Sequence, residues 1–318
     1  MAVGERRQRP SSADRPAGVL PVVPSPNSPA PPGADRGPTA RRIVLGSHLR
    51  RLRERAGIRR ADAAYAIRGS DSKMSRLESG KVGFKERDVA DLLTMYGVGE
   101  GPEREQVLAM TGESNESGWW ARYNDVVPGW FEDFVGLEAS ASRISSYELL
   151  FVPGLLQTEG YARAVVSGGR TDLPSSERAG VEKRLEVRMR RQRVLHRKDA
   201  PTFWVVLDEA VLHRPVGGHA VRRGQLEHLL ELAALPNVII QLLPWDLSGY
   251  GAEHAFSMLR FAEAELPDLV YLEEMTGASY LDKRADVERY GRAMDRLTVD
   301  ALSPEQTKQA LSKVLAEA

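Results

Sequence analysis

Residues 60–80 read Arg-Ala-Asp-Ala-Ala-Tyr-Ala-Ile-Arg-Gly-Ser-Asp-Ser-Lys-Met-Ser-Arg-Leu-Glu-Ser-Gly. Two short helices joined by a tight turn account for every position of this stretch. Ser70 is suited to cap the second helix, its hydroxyl accepting from an amide two or three residues on. Gly80 stands where a left-handed residue ends that helix. Met74 and Leu77 share the inner face, Ile67 closes the same small core, and Ala64 supplies the small residue needed where two steeply crossing backbones meet.

With Met74 and Leu77 turned inward, the second helix presents Asp71, Ser72, Lys73, Ser75 and Arg76 outward, next to the cap Ser70. These short polar or basic groups can reach base edges in a major groove, and they are the candidate base readers. Arg50, Arg51, Arg59, Arg60, Lys81 and Lys85 are the candidate phosphate contacts. Arg41, Arg42, Arg53 and Arg55 add to the same basic surface. Phosphate contacts position such a protein and base contacts give it specificity.

Outward from this motif, Leu45, Leu49, Leu52 and Ala56 form a helical stripe that Gly57 stops. Five helices are expected, at 41–56, 60–67, 71–79, 86–96 and 102–111. They are divided by Gly57, Gly69, Gly80 and the Gly97–Gly101 stretch.

Lys73 to Gly80 resembles the Ser-Arg-[Ile/Leu]-Glu-x-Gly core of Xre/Cro-type helix-turn-helix repressors, and Leu49-Arg50-Arg51-Leu52-Arg53 is similar to their first helix. The likeness covers about residues 43–98. It implies that Glu78 is structural, paired with Arg50 or Arg53. The family places Gly where this chain has Arg68, and Gly69 comes one residue later, so either the turn shifts or Arg68 carries backbone strain.

Beyond Trp119 the pattern changes. Thr202–Leu212, Asn237–Trp245, Ala255–Phe261 and Asp268–Glu274 have strand length and composition. Helical stretches are expected at 174–197, 219–234, 283–300 and 304–317. The fold class is α+β: an all-α head over 41–112, then a larger mixed domain over 113–318. Residues 1–40 hold nine prolines and read as a disordered tail.

Ser117-Gly-Trp-Trp, the run Tyr147 to Ala164, Arg191-Gln192, Asp208-Glu209-Ala210, Gln225-Leu226, Pro236-Asn237-Val238 and Tyr271-Leu272-Glu273 are similar to a domain of unknown function. That domain follows Xre-type heads in many regulators of GC-rich, spore-forming filamentous bacteria. The resemblance implies a transcriptional regulator, often acting with a small partner protein.

Trp119, Trp120, Trp130, Gln157 and Tyr161 are the candidate ligand or partner residues of this domain. The aromatic cluster, which includes Phe131, reads equally as packing. Val152–Thr158 reads as a structural turn feeding a helix capped by Thr158, or as a ligand loop. Arg188–Lys198 carries six basic residues in eleven, a second anionic contact or a solvated face.

The whole chain has 318 residues, with 44 Lys and Arg against 44 Asp and Glu. The zero net charge conceals a division. Residues 1–100 carry 19 basic and 11 acidic side chains, and residues 101–318 carry 25 and 33. Without cysteine there is no disulfide, thiolate nucleophile or Cys-ligated zinc. No run of about 18 apolar residues that could span a bilayer occurs, and no secretory leader is evident. A cytoplasmic, nucleoid-associated location is therefore expected.

No His-x-x-x-His pair, Gly-x-Ser-x-Gly elbow or phosphate-binding glycine loop is present. Asp246, Glu253 and His254 form the one cluster worth inspecting for catalysis. No enzyme activity, metal or cofactor is expected. The reading is a homodimeric, sequence-specific regulator of double-stranded DNA, with a C-terminal domain that receives a small-molecule effector or a protein partner. The alternative is an antitoxin-like interaction protein that captures a small partner and autoregulates.

Overall fold

The computed structural model describes residues 38–170, 172–246, 252–264 and 266–317. The tail read as disordered lies outside the described residues up to position 37, while its last three residues are helical.

The head contains α1 (Pro38–Arg55), α2 (Arg60–Ala66), α3 (Asp71–Glu78), α4 (Glu86–Met95) and α5 (Pro102–Asn115). Leu45, Leu49, Ala63, Met74, Leu92 and Leu93 are fully enclosed at its centre. Arg68 takes the left-handed conformation, φ 53°, and is the one described non-glycine residue with positive φ. Of the two turn geometries left open by the sequence, the strained one is realised. A left-handed arginine costs about 1–3 kcal/mol, offset by the packing on either side.

Two helices exceed their expected bounds. α1 starts three residues earlier because its first turns pack on the second domain, where Ala40 and Val44 meet Leu266. Thr39 donates to Asp133 at 3.3 Å, and a side chain at Gly136 would meet the Thr39 hydroxyl at 2.8 Å. α5 runs four residues past its expected end. Asn115 then ties the head together, accepting from the Phe84 amide (3.2 Å) and donating to the Phe84 carbonyl (2.6 Å).

The body is built on a six-stranded sheet of order β3-β2-β1-β4-β5-β6. Its strands are β1 (Arg143–Glu148), β2 (Thr202–Asp208), β3 (Val238–Leu243), β4 (Phe256–Arg260), β5 (Leu269–Glu274) and β6 (Gly277–Leu281). β1, β2 and β3 are parallel, whereas the β1–β4, β4–β5 and β5–β6 pairs are antiparallel. Phe203 to Leu207 are all buried, as befits a strand covered on both faces.

One face carries α6 (Gly129–Glu138), α7 (Glu159–Val166), α8 (Ser175–Arg191), α10 (His219–Leu232) and α12 (Pro304–Ala316) over the largest core. α11 (Arg284–Asp300) covers the other face, with Met294 and Leu297 against Tyr147, Trp204 and Val270.

The expected Thr202–Leu212 strand stops at Asp208. The Asp208 carboxylate accepts from the Ala210 amide at 2.9 Å and turns the chain into the short helix α9 (Ala210–His213). Strands β1 and β6 and helix α6 were not anticipated. The other expected strands and the four expected helices are present, trimmed by one to a few residues.

Candidate nucleic-acid interface

The geometry of α3 follows from its two ends and its docked face. The Ser70 hydroxyl accepts from the Lys73 amide at 3.1 Å. At the far end Gly80 is left-handed, φ 69°, and a Cβ there would stand 2.6 Å from the Ile43 backbone. Gly46 of α1 is equally tight: a Cβ would fall 2.4 Å from the Leu77 carbonyl oxygen. The closest backbone approach is therefore between α1 and the end of α3, more than at Ala64 as the sequence suggested.

Met74, Leu77 and Glu78 form the buried stripe. Arg53 holds Glu78 from α1: its Nε donates to Oε1 at 2.5 Å and its Nη2 to Oε2 at 3.1 Å, while Nη1 donates to the Ile58 carbonyl at 2.9 Å. The partner of Glu78 is thus Arg53, and Arg50 pairs instead with Glu54 at 2.8 Å. Arg53 is buried and leaves the phosphate-contact surface to which the sequence had assigned it.

At 100° per residue the direction opposite this stripe falls on Ser72, Arg76 and Ser79. All three are exposed, and Arg76 forms no ion pair among the described residues. The other candidate base readers are more constrained. Asp71 accepts two bonds from Arg60 (2.8 and 2.5 Å), Lys73 pairs with Asp88 (2.9 Å), Ser70 is spent on its cap, and Ser75 is half-buried. Beside Arg60 the Asp71 carboxyl is held below its ordinary range.

Among the candidate phosphate contacts, Arg59 is bound to Asp62 at 2.8 Å and Arg51 lies against His48 at 3.2 Å. Lys81 and Lys85 are exposed and without an acidic partner among the described residues. Arg68 and Arg87 share that condition and were missed in the sequence. Arg68 had been read only as a turn residue, although a strained turn also thrusts its side chain outward. Tyr65, 86% exposed beside that turn, is the largest apolar group on this surface. Exposed ion pairs contribute only about 0–1 kcal/mol, so Arg50, Arg59 and Arg60 can exchange carboxylates for phosphates at little cost.

The candidate ligand residues of the body are structural in their immediate contacts. Trp120 is buried, and Trp119 stands edge-on to it at 5.6 Å with the Arg190 guanidinium 4.6 Å from its ring. Trp130 packs on the main core, its carbonyl accepting from the Tyr280 hydroxyl. Gln157 donates to the Val152 carbonyl at 2.6 Å and the Tyr161 hydroxyl accepts from the Val152 amide at 3.2 Å, so both side chains pin the 152–158 turn from inside. Thr158 caps α7 through the Tyr161 amide.

Within Arg188–Lys198, Arg191 is buried against Glu138 (2.9 and 2.8 Å), while Arg193 and Lys198 are exposed. Asp246, Glu253 and His254 are all exposed, and no group of three or more metal-ligating side chains occurs among the described residues. No helix among them is long and apolar enough to cross a membrane.

Comparison with known proteins gives two family matches. A helix-turn-helix domain matches residues 44–107, and a domain of unknown function (DUF5753) matches residues 131–313. No curated protein and no solved structure matches the chain. The second match covers more than half of the sequence, and its bounds enclose the sheet and nearly all its covering helices. The chain is a helix-turn-helix protein that belongs to the DUF5753 domain family.

Proposed function

We propose that this protein is a sequence-specific DNA-binding transcription regulator, in which α3 enters the major groove and the body carries dimerisation and receives a signal. The observation that carries this reading is the presentation of α3. A helix capped at both ends and clamped to α1 by a buried ion pair turns Ser72, Arg76 and Ser79 to solvent. The exposed cations Arg68, Lys81, Lys85 and Arg87 flank it. The helix-turn-helix match supports the same reading.

Arg76 fits bidentate contact with guanine, the Ser72 hydroxyl can donate to or accept from a base edge, and the Ser79 hydroxyl, which donates to the Ser75 and Arg76 carbonyls, can accept. A single head of this size makes few base contacts. Two heads on a homodimer, reading half-sites about one helical turn apart, supply the specificity that one lacks. The resemblance of Lys73–Gly80 to Xre/Cro-type repressors supports this placement of α3.

Titration of the full chain onto fluorescent duplexes across a range of salt concentrations tests the reading. Binding is expected to weaken steeply with salt, as counterion release at several phosphates requires. Binding to no duplex, or binding indifferent to salt, would overturn it.

A further inference from the structure

The body contains two enclosed charged side chains of opposite sign that do not touch. Glu148 ends β1 and Arg188 lies on the last turns of α8. Each is largely enclosed by protein and keeps some contact with solvent. They are near enough to perturb each other's ionisation, yet no ion pair joins them. Among the described residues Glu148 has no hydrogen-bond partner, and Arg188 has one, donating from Nη1 to Gln157 Oε1 at 2.9 Å. Four of the five guanidinium N–H groups are left over.

Arg191, one turn along the same helix, shows what a paired guanidinium looks like here: its Nε and Nη2 donate side by side to the two carboxylate oxygens of Glu138. Burying a guanidinium without a carboxylate partner costs several kcal/mol, so the placement of Arg188 is not explained by stability.

The topology places these two groups where open sheets hold ligands. The chain adds β2 and β3 on one side of β1 and then β4, β5 and β6 on the other, which makes the β1–β4 boundary the switch point. Glu148 lies at the carboxyl end of β1 and Glu273 at that of β5. Continuing the register one step beyond Tyr147↔Phe256 and two beyond Ser257↔Tyr271 sets Ala255 between Glu148 and Glu273. Ala255 brings only a methyl group to this row, and the small Ser146 and Ser257 follow two residues along on the same face. Glu273 accepts from the Tyr271 hydroxyl at 3.1 Å and adds a second carboxylate to the same end.

We infer that this site binds a zwitterionic α-amino acid, its ammonium on Glu148 and its carboxylate on Arg188. A ligand with both charges on one carbon offers an ammonium to the carboxylate and a carboxylate to the guanidinium, and so supplies a partner to each of two groups that do not pair with each other. Burial, and then the like charge of Glu273, pushes the Glu148 carboxyl up to about 8, while burial lowers the Arg188 guanidinium to about 10. Both shifts are relieved by a bound zwitterion. The inference rests on the proposed regulator only for its consequence, that the amino acid is the signal; binding itself is measured without DNA.

Thermal melting of the full chain with each of the twenty common L-amino acids, followed by calorimetric titration of any that stabilise it, tests the site. At least one is expected to bind, and its decarboxylated amine and its deaminated acid are each expected to bind about tenfold or more weakly. Glu148→Gln is expected to abolish the effect while leaving the ligand-free melting temperature unchanged or higher, since no partner is lost. A panel without a stabilising amino acid, which would mean a solvent-filled gap, would overturn the proposal. So would a hit that binds Glu148→Gln as tightly as the parent, or whose amine alone binds equally well. Loss of DNA binding with amino-acid binding intact would overturn the regulator reading and leave this site standing.

Discussion

Replacing Glu78 with alanine strands the Arg53 guanidinium inside the head. The two side chains are 10% and 7% exposed, and the substitution removes both carboxylate bonds, leaving Arg53 with the Ile58 carbonyl and a longer contact to the half-exposed Glu54 at 3.6 Å. Deleting one partner of a buried pair costs about 3–5 kcal/mol. At roughly 0.05–0.15 kcal/mol per residue, a head of this size has about 4–12 kcal/mol in all, so the loss takes a large share of it. All five tryptophans lie in the body, at 119, 120, 130, 204 and 245. In urea, circular dichroism therefore reports both domains and tryptophan fluorescence the body alone. The variant should lose its first helical transition at much lower urea while the fluorescence transition stays in place. A double variant, Arg53→Met with Glu78→Leu, should recover much of the loss, because apolar residues of similar size replace a buried pair at little cost. A shift below about 1 kcal/mol for Glu78→Ala would refute the clamp.

Gly46→Ala should destabilise the head by about 1–3 kcal/mol or more, since its Cβ would fall 2.4 Å from a rigid backbone oxygen; urea melts of the full chain check this. Asp71→Asn should release Arg60 and strengthen binding to random duplex severalfold at low salt, with a steeper salt slope in the same titration. Glu148 titrates near 8 folded and near the ordinary 4.5 unfolded, so between those values the folded state holds the extra proton. The Glu148 contribution to stability should accordingly be full below about 4.5 and be lost as pH rises toward 8, and Glu148→Gln should remove that pH-dependent part of the melting profile.

The head was legible because its signals are local. Ser70, Gly80, Met74 and Leu77 each state one helix boundary or face within a span of eleven residues. The β1 strand was not legible, because Ser145 and Ser146 sit at its centre and read as surface. They are buried, and the Ser146 hydroxyl is satisfied by Ser257 across the sheet at 2.8 Å, a partner 111 residues away. Helix α6 was hidden by its Gly-Trp-Phe start, which reads as an aromatic cluster. The basic surface was overcounted for the same reason: sequence shows the arginines but not the carboxylates that Arg53, Arg59 and Arg60 reach. The Glu148–Arg188 site joins positions forty residues apart and has no sequence signature.

Selection of duplexes from a random pool by the full chain, repeated with Arg76→Ala and with Lys85→Ala, tests the reading of α3 most directly. The parent should enrich one site built of two half-sites about 10 base pairs apart. Lys85→Ala should recover the same site with weaker binding to every duplex, and Arg76→Ala should relax the preference at one base position per half-site, a loss of about 1–3 kcal/mol there. A pool that stays random, or an Arg76→Ala variant that recovers the parental site unchanged, would contradict a recognition helix at Asp71–Glu78.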